Sequence, residues 1–117
     1  MAKMYFAEFT NNRTGQVFQK FGHTGFNDAQ KRLDRITEEF PHFSARVLAV
    51  VYHHNIDICR AVEEVFKTIY PKNLMIEEKI SGVTEIVNLT AEQRYKVIQH
   101  VRSLNDMYKA ELFNDNN

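Results

Sequence analysis

Basic side chains crowd the end of a predicted strand and are the residues of this sequence best suited to chemistry. The strand covers residues 16–22, and Lys20 and His23 lie at its end. The next segment, residues 27–40, has the apolar spacing of a helix and carries Arg32 in its first turns. Lysine, histidine and arginine suit phosphate oxygens, which arginine holds through its forked donors. The pattern therefore predicts a phosphate-binding site.

The order of these residues resembles the GIY-YIG nuclease superfamily. In that family a first strand ends in Gly-Ile-Tyr and a second in Tyr-Ile-Gly, followed by a helix with an arginine and a later helix with a metal-binding glutamate. Here residues 3–5 are Lys-Met-Tyr and keep the tyrosine, and residues 20–22 are Lys-Phe-Gly and keep the glycine. Lys20 with His23 is similar to the restriction-enzyme and phage subtype, in which lysine replaces the second tyrosine and histidine follows three residues later.

The later positions of the family also have counterparts. Arg32 matches the arginine of the first helix. Glu63 is the better match to the metal-binding glutamate, because residues 59–69 are similar to the family's helix, and Glu64 is the alternative. The resemblance covers residues 4–88. Two polar residues stand near the family's closing position: Glu85 and Asn88.

The resemblance implies a DNA endonuclease that hydrolyses phosphodiester bonds with a divalent metal ion, Mg²⁺ or Mn²⁺. Tyr5 would accept the proton of the attacking water, and positive charge from Lys20 would lower the pKa of its phenol. Arg32 would hold the phosphate, and His23 would donate to it or position the water. Glu63 would hold the metal ion while water and phosphate complete the coordination shell.

A second class of function stays open. Loss of the first motif's glycine and of the second motif's tyrosine favours a catalytically weak or inactive module that binds nucleic acid or a protein partner. A small phage or mobile-element accessory protein would be of this kind. Retention of Tyr5, Lys20, Arg32 and Glu63 favours the nuclease, although a tyrosine on an alternating strand is more often a core residue. Cleavage of DNA separates the two classes.

Composition predicts one globular domain over residues 1–113, with a disordered tail at 114–117. Of the 117 residues, 44% are apolar and 26% charged, and no apolar run is long enough to span a membrane. A single cysteine, Cys59, excludes an internal disulfide and is expected in a reducing cytoplasm. The net charge of zero argues against a strong nonspecific grip on DNA, so a homodimer or protein partner is expected to add affinity.

The predicted elements follow the order ββαβα plus a C-terminal helix. This order is typical of an α/β domain of the α+β kind, with a small, mainly antiparallel three-stranded sheet flanked by helices. Residues 45–52 are nearly all apolar and predict a central buried strand. Residues 74–76 and 85–89 are short strands or packed loop. The other predicted strand covers residues 4–10, and residues 11–15, which end in Gly15, predict the hairpin turn to the second strand. Asn27 is predicted to cap the first helix, and Asn55 or Asp57 the helix that runs to residue 70. The last helix covers about residues 90–112, with a capping box at residues 90–93 and an inward face formed by Tyr95, Ile98, Val101 and Leu104.

Overall fold

The computed structural model describes residues 1–25, 28–73 and 86–115, with side chains up to residue 109. Within them the α+β prediction is confirmed, since an antiparallel sheet of four strands carries three helices. The elements are β1 (Ala2–Asn11), β2 (Val17–Thr24), α1 (Ala29–Glu39), β3 (Phe43–His53), α2 (Ile56–Ile69), β4 (Ile86–Val87) and α3 (Ala91–Asp115). The fourth strand, β4, lies inside the segment predicted as strand or loop. The predicted strand at 74–76 lies outside the described residues.

The sheet has the strand order β3-β1-β2-β4, so β1 lies in the middle. β1 and β2 form a hairpin whose turn uses the predicted glycine, because Gly15 has a φ of 75°. Asn11 stabilises the turn, since its side-chain oxygen accepts hydrogen bonds from the backbone N–H groups of Arg13 and Thr14. The hairpin places Tyr5 opposite Gly22.

The prediction that β3 is a central strand is wrong, because β3 forms an edge of the sheet. Its nearly continuous apolar sequence has a different cause. α1 packs against β3 from one face of the sheet and α3 packs against it from the other, so both faces of an edge strand are covered. Apolar content therefore reports covered faces and not position in the sheet.

The two faces of β1 supply two separate cores, as alternating strand residues require. Met4 and Phe6 pack with α2 and α3 on one face. Tyr5 and Phe9 pack with α1 on the other face. The candidate tyrosine therefore lies on the α1 side of the sheet.

The buried stripe of α2 differs from the predicted one. The spacing of the sequence favours a face formed by Ile58, Val62, Val65 and Ile69, but the fully buried residues are Cys59, Val62, Glu63 and Phe66. Val65 and Ile69 are about half exposed, at 53% and 52%. The helix is rotated so that Glu63 faces inward. In α3 the predicted inward residue Val101 is buried, but Tyr95, predicted on the same face, is 64% exposed.

The N-terminal caps of the three helices can be compared with the caps predicted from the sequence. Asp28 caps α1 by accepting a hydrogen bond from the backbone N–H of Gln30, and Asn55 caps α2 in the same way. The first cap was predicted at Asn27, which lies outside the described residues. The capping box at the start of α3 is confirmed, because Thr90 and Gln93 exchange side-chain to backbone hydrogen bonds of 2.9 and 3.2 Å.

None of the described helices is long and apolar enough to cross a membrane.

Candidate active site

The predicted site begins at a pair of residues facing each other across β1 and β2. Tyr5 lies opposite Gly22, and a Cβ atom added to Gly22 would lie 2.5 Å from both Cζ and Oη of the tyrosine. Any side chain at position 22 would therefore collide with the phenol. Glycine at this position allows the ring of Tyr5 to lie against the backbone of β2.

Lys20 lies beside this tyrosine inside the protein. Its Nζ donates a long hydrogen bond of 3.5 Å to Tyr5 Oη. Both residues are buried, with 1% of Tyr5 and 8% of Lys20 exposed. Arg32 reaches the same hydroxyl from α1 and acts on it as a hydrogen-bond donor. Three of the predicted residues therefore meet at one phenol.

Glu63 and His23, at the end of β2, form the second part of the cluster. Glu63 belongs to α2, which packs on the opposite face of the sheet from Tyr5, but it is near enough for its charge to act on Tyr5 and Lys20. Its Oε2 lies 2.9 Å from His23 Nδ1. The alternative, Glu64, faces solvent, since its side chain is 72% exposed whereas that of Glu63 is 9% exposed. The structure thus brings Glu63 to the cluster and leaves Glu64 outside it.

Two cations of α2 that the sequence analysis did not single out also belong to the cluster. Lys67 Nζ lies 3.5 Å from Glu63 Oε1, and Arg60 donates from Nε to His23 Nε2 at 3.4 Å. A neutral His23 with its proton on Nδ1 satisfies both contacts, since it then donates to Glu63 and accepts from Arg60. The spacing of Lys67, four residues after Glu63, is the signal that would have found it. Nothing in the local sequence pairs Arg60 with a histidine of another element.

Burial acts in opposite directions on the two central groups. It raises the pKa of the Tyr5 phenol, and Glu63 adds to this effect while Arg32 opposes it. Burial lowers the pKa of the Lys20 ammonium to about 8, helped by Arg32 and Lys67 and opposed by Glu63. Positive charge from Lys20 was expected to lower the pKa of Tyr5, but the charge that lowers it belongs to Arg32, and burial outweighs that effect.

Asn88, one of the two residues proposed for the closing position, has no contact with the cluster in the described part of the chain. Asn88 is exposed and pairs with Asn73, whose amide bridges the backbone N–H and carbonyl of Asn88 at 2.8 and 3.3 Å. Glu85 lies outside the described residues.

The donor set for a metal ion is small. Among the residues that the structure describes, no group of three or more histidine, cysteine, aspartate or glutamate side chains could hold one. Glu63 is the carboxylate in the cluster, and both of its oxygens face cationic or N–H groups. A Mg²⁺ ion can be held by one carboxylate when substrate phosphate and water complete its shell. Glu63 fits such an ion only after giving up His23 or Lys67.

Comparison with known proteins found no significant match to a protein-family model, a curated protein or a solved structure. The GIY-YIG assignment therefore stays a prediction from the order and spacing of the residues.

Proposed function

We propose that this protein is a divalent-metal-dependent DNA endonuclease of GIY-YIG type. The observation that carries the proposal is the convergence of five residues picked by that pattern from four separate elements. β1, β2, α1 and α2 bring them to one cluster: Tyr5, Lys20, His23, Arg32 and Glu63. Tyr5 and Glu63 are 58 positions apart in the chain, so local structure alone does not bring them near each other.

The electrostatics of the cluster favour an anionic ligand. The charges of Arg32 and Lys67 act on Lys20, and Arg60 contacts His23. Three carboxylates accompany the α2 cations, since Lys67 pairs with Glu63 and Glu64 and Arg60 pairs with Asp57. A phosphodiester would balance the positive charge of Arg32, which has no ion pair with a carboxylate in the described part of the chain. Arg32 and the α2 cations supply donors to the phosphate oxygens, which gain charge as water attacks.

The divalent metal is proposed on the resemblance. Glu63 would hold Mg²⁺ or Mn²⁺ together with the substrate phosphate, and the ion would neutralise charge on the phosphoryl oxygens. His23 and Lys67 would then hold Glu63 in place before the substrate binds. This role explains why a buried carboxylate is surrounded by cations.

The depth of the cluster favours the second candidate function, a module that binds nucleic acid or a protein partner without cutting DNA. Tyr5 is 1% exposed, and both oxygens of Glu63 are already engaged. A site of this kind would hold a phosphate at its cationic rim without admitting water to its centre. A homodimer or partner protein would add affinity in either case, because the net charge is zero.

Plasmid nicking with Mg²⁺ or Mn²⁺ tests the proposal. The wild type is expected to convert supercoiled plasmid to open circles, and Arg32→Ala is expected to lower the rate about 10²-fold or more. Lys96→Ala is the matched control, since it removes one positive charge from an exposed ion pair on α3. A wild type that binds DNA but cuts nothing with either metal would contradict the nuclease and favour the binding module. Cutting by Arg32→Ala at the wild-type rate would show that this cluster is not the site of cleavage.

A further inference from the structure

Lys20 and Tyr5 form the buried centre of the cluster, and they differ in how far they can be reached. The tyrosine is covered by the backbone at Gly22 and has 1% of its surface exposed, whereas the lysine has 8% exposed. Lys20 therefore keeps a small exposed part in the folded protein, and Tyr5 keeps almost none.

Burial and two neighbouring cations disfavour the ammonium form of Lys20. Arg32 of α1 and Lys67 of α2 are cations, Tyr5 of β1 is a phenol, and the adjacent strand β4 offers apolar residues only. Glu63 of α2 is an anion, but it accepts a hydrogen bond from His23 and forms its ion pair with Lys67. In the described part of the chain no carboxylate forms an ion pair with Lys20. A buried ammonium without a paired carboxylate is costly, so the amine is readily neutral.

The protonation of the two groups agrees with this geometry. Burial brings the pKa of Lys20 down to about 8 and raises the pKa of Tyr5 from its ordinary value of 10.0. A general base works best when its pKa is close to the operating pH. The lysine meets this condition and the tyrosine does not.

We propose that Lys20, and not Tyr5, is the catalytic base of this site, and that Tyr5 is a positioning residue that holds the amine; the inference rests on the proposed nuclease function. The neutral Nζ takes a proton from the attacking water while the water oxygen forms its bond to phosphorus. The bond from phosphorus to the leaving sugar oxygen breaks, and that oxygen takes a proton from solvent. Lys20 is left as an ammonium and returns its proton to solvent after the products leave.

The pH dependence of plasmid nicking by the full chain tests this assignment. Lys20→Arg keeps the positive charge but cannot act as a base near neutral pH, so the rate is expected to fall about 10²-fold or more at every pH. Tyr5→Phe is expected to lower the rate by about tenfold and to move the rising limb of the pH profile to lower pH, because the ammonium loses a hydrogen-bond acceptor. Loss of all cutting in a folded Tyr5→Phe would overturn the proposal and make the tyrosine the base.

An NMR titration separates failure of this inference from failure of the proposed function. The ¹³Cε and ¹⁵Nζ signals of Lys20 are assigned in labelled wild type by comparison with Lys20→Arg and followed with increasing pH. Lys20 is expected to lose its proton well below the ordinary lysine value of about 10.4. Titration at the ordinary value in a chain that does cut would overturn this inference alone. A wild type that cuts nothing at any pH would overturn the proposed function and the catalytic role of Lys20 with it.

Discussion

At the residue scale, the candidate site depends on a position that has no side chain. Gly22 lets the phenol of Tyr5 lie against β2, and that phenol in turn contacts Lys20 and Arg32. The glycine is therefore a structural requirement of the cluster. Its partner Tyr5 belongs to the core that packs against α1, which ties the geometry of the site to the stability of the fold.

Gly22→Ala is expected to lower the free energy of unfolding by about 1–3 kcal/mol, because the added methyl group forces the Tyr5 ring out of place. Urea denaturation followed by circular dichroism measures the change. Gly25→Ala is the matched control, since a Cβ at that position meets nothing closer than Ile56 Cδ1 at 3.9 Å. Equal effects of the two substitutions would contradict the packing of Tyr5 against Gly22.

The protonation of Lys20 predicts a stability that rises with pH. The pKa is lowered in the folded state from 10.5 to about 8, so between these values the unfolded chain binds more protons and folding becomes more favourable as pH increases. The gain is up to about 3 kcal/mol over this range. It is measurable up to about pH 10, where ionisation of tyrosine in the unfolded chain begins to oppose it because the pKa of Tyr5 is raised in the folded state.

The measurement compares wild type with Lys20→Met by urea denaturation at several pH values from 7 to about 10. Wild type should gain stability relative to Lys20→Met as pH rises, because methionine has no proton to lose. Lys96→Met serves as the control at an exposed position on α3. A constant difference between wild type and Lys20→Met would contradict a neutral lysine in the folded protein.

At the element scale, the edge strand β3 is closed by two amide side chains. Gln30 of α1 donates to the carbonyl of Ala45 and accepts from the N–H of Val47, at 3.1 and 3.2 Å. Asn105 of α3 does the same to Val50 and Tyr52, at 2.6 and 3.0 Å. Each amide replaces the backbone of a neighbouring strand, and unpaired edges are otherwise open to association.

A β-bulge in β3 explains why the Gln30 amide contacts odd-numbered residues of the strand and the Asn105 amide contacts even-numbered ones. The pairing of β1 with β3 changes register between Phe6 and Ala7, which leaves Leu48 as an extra residue. The outward-facing backbone groups therefore belong to odd-numbered residues before the bulge and to even-numbered residues after it. α1 and α3 thus hold the two halves of one bent strand.

Asn105→Ala is expected to lower the free energy of unfolding by about 1–2 kcal/mol, because two hydrogen bonds to β3 are lost together. Gln30→Ala should have a similar effect, and the double variant should be close to additive because the two amides share no partner. Urea denaturation provides the values, with the exposed neighbour Asp106→Ala as control. A neutral Asn105→Ala would show that the edge needs no cover from α3.

Sequence patterns predicted most elements of this fold because their signals are local. The alternation in β1, the turn from Asn11 to Gly15 and the Thr90–Gln93 capping box each depend on neighbours in the chain. The place of β3 at an edge and the rotation of α2 depend on which surfaces the helices cover, and local sequence does not carry that information. Gln30 and Asn105 were missed for the same reason.

The candidate site divides along the same line. The family order picked Tyr5, Lys20, His23, Arg32 and Glu63, which the fold brings together. It preferred Glu63 to Glu64 only on similarity to the family's helix, because which of two adjacent helix residues faces inward depends on the rotation of the helix. The direction of the Tyr5 pKa was also beyond the sequence, since it depends on burial in three dimensions.

At the scale of the whole molecule, the net charge is zero, although the first 35 residues hold six lysine and arginine residues against three acidic ones. Of these six, Lys20 and Arg32 belong to the cluster, to which α2 adds Lys67 and Arg60. Binding to a nucleic acid would then use few ionic contacts. Affinity should depend only moderately on salt.

Arg60→Ala is expected to make the salt dependence of DNA binding shallower by about one in the slope of log K against log salt, because one phosphate contact is lost. Fluorescence anisotropy of a labelled duplex without metal gives the slope. Lys96→Ala, which removes the same charge far from the cluster in the chain, should leave it unchanged. Identical slopes for wild type and Arg60→Ala would place DNA on another surface.

The most direct test of the account is the rate of single-turnover cleavage of duplex DNA by Glu63→Gln and Glu64→Gln beside wild type. These residues are neighbours on one helix and lose the same charge, but one faces the cluster and the other faces solvent. The account predicts that Glu63→Gln cuts at least about 10²-fold more slowly than wild type and that Glu64→Gln cuts within a few-fold of it. Equal rates for the two variants, or a wild type that does not cut, would contradict it.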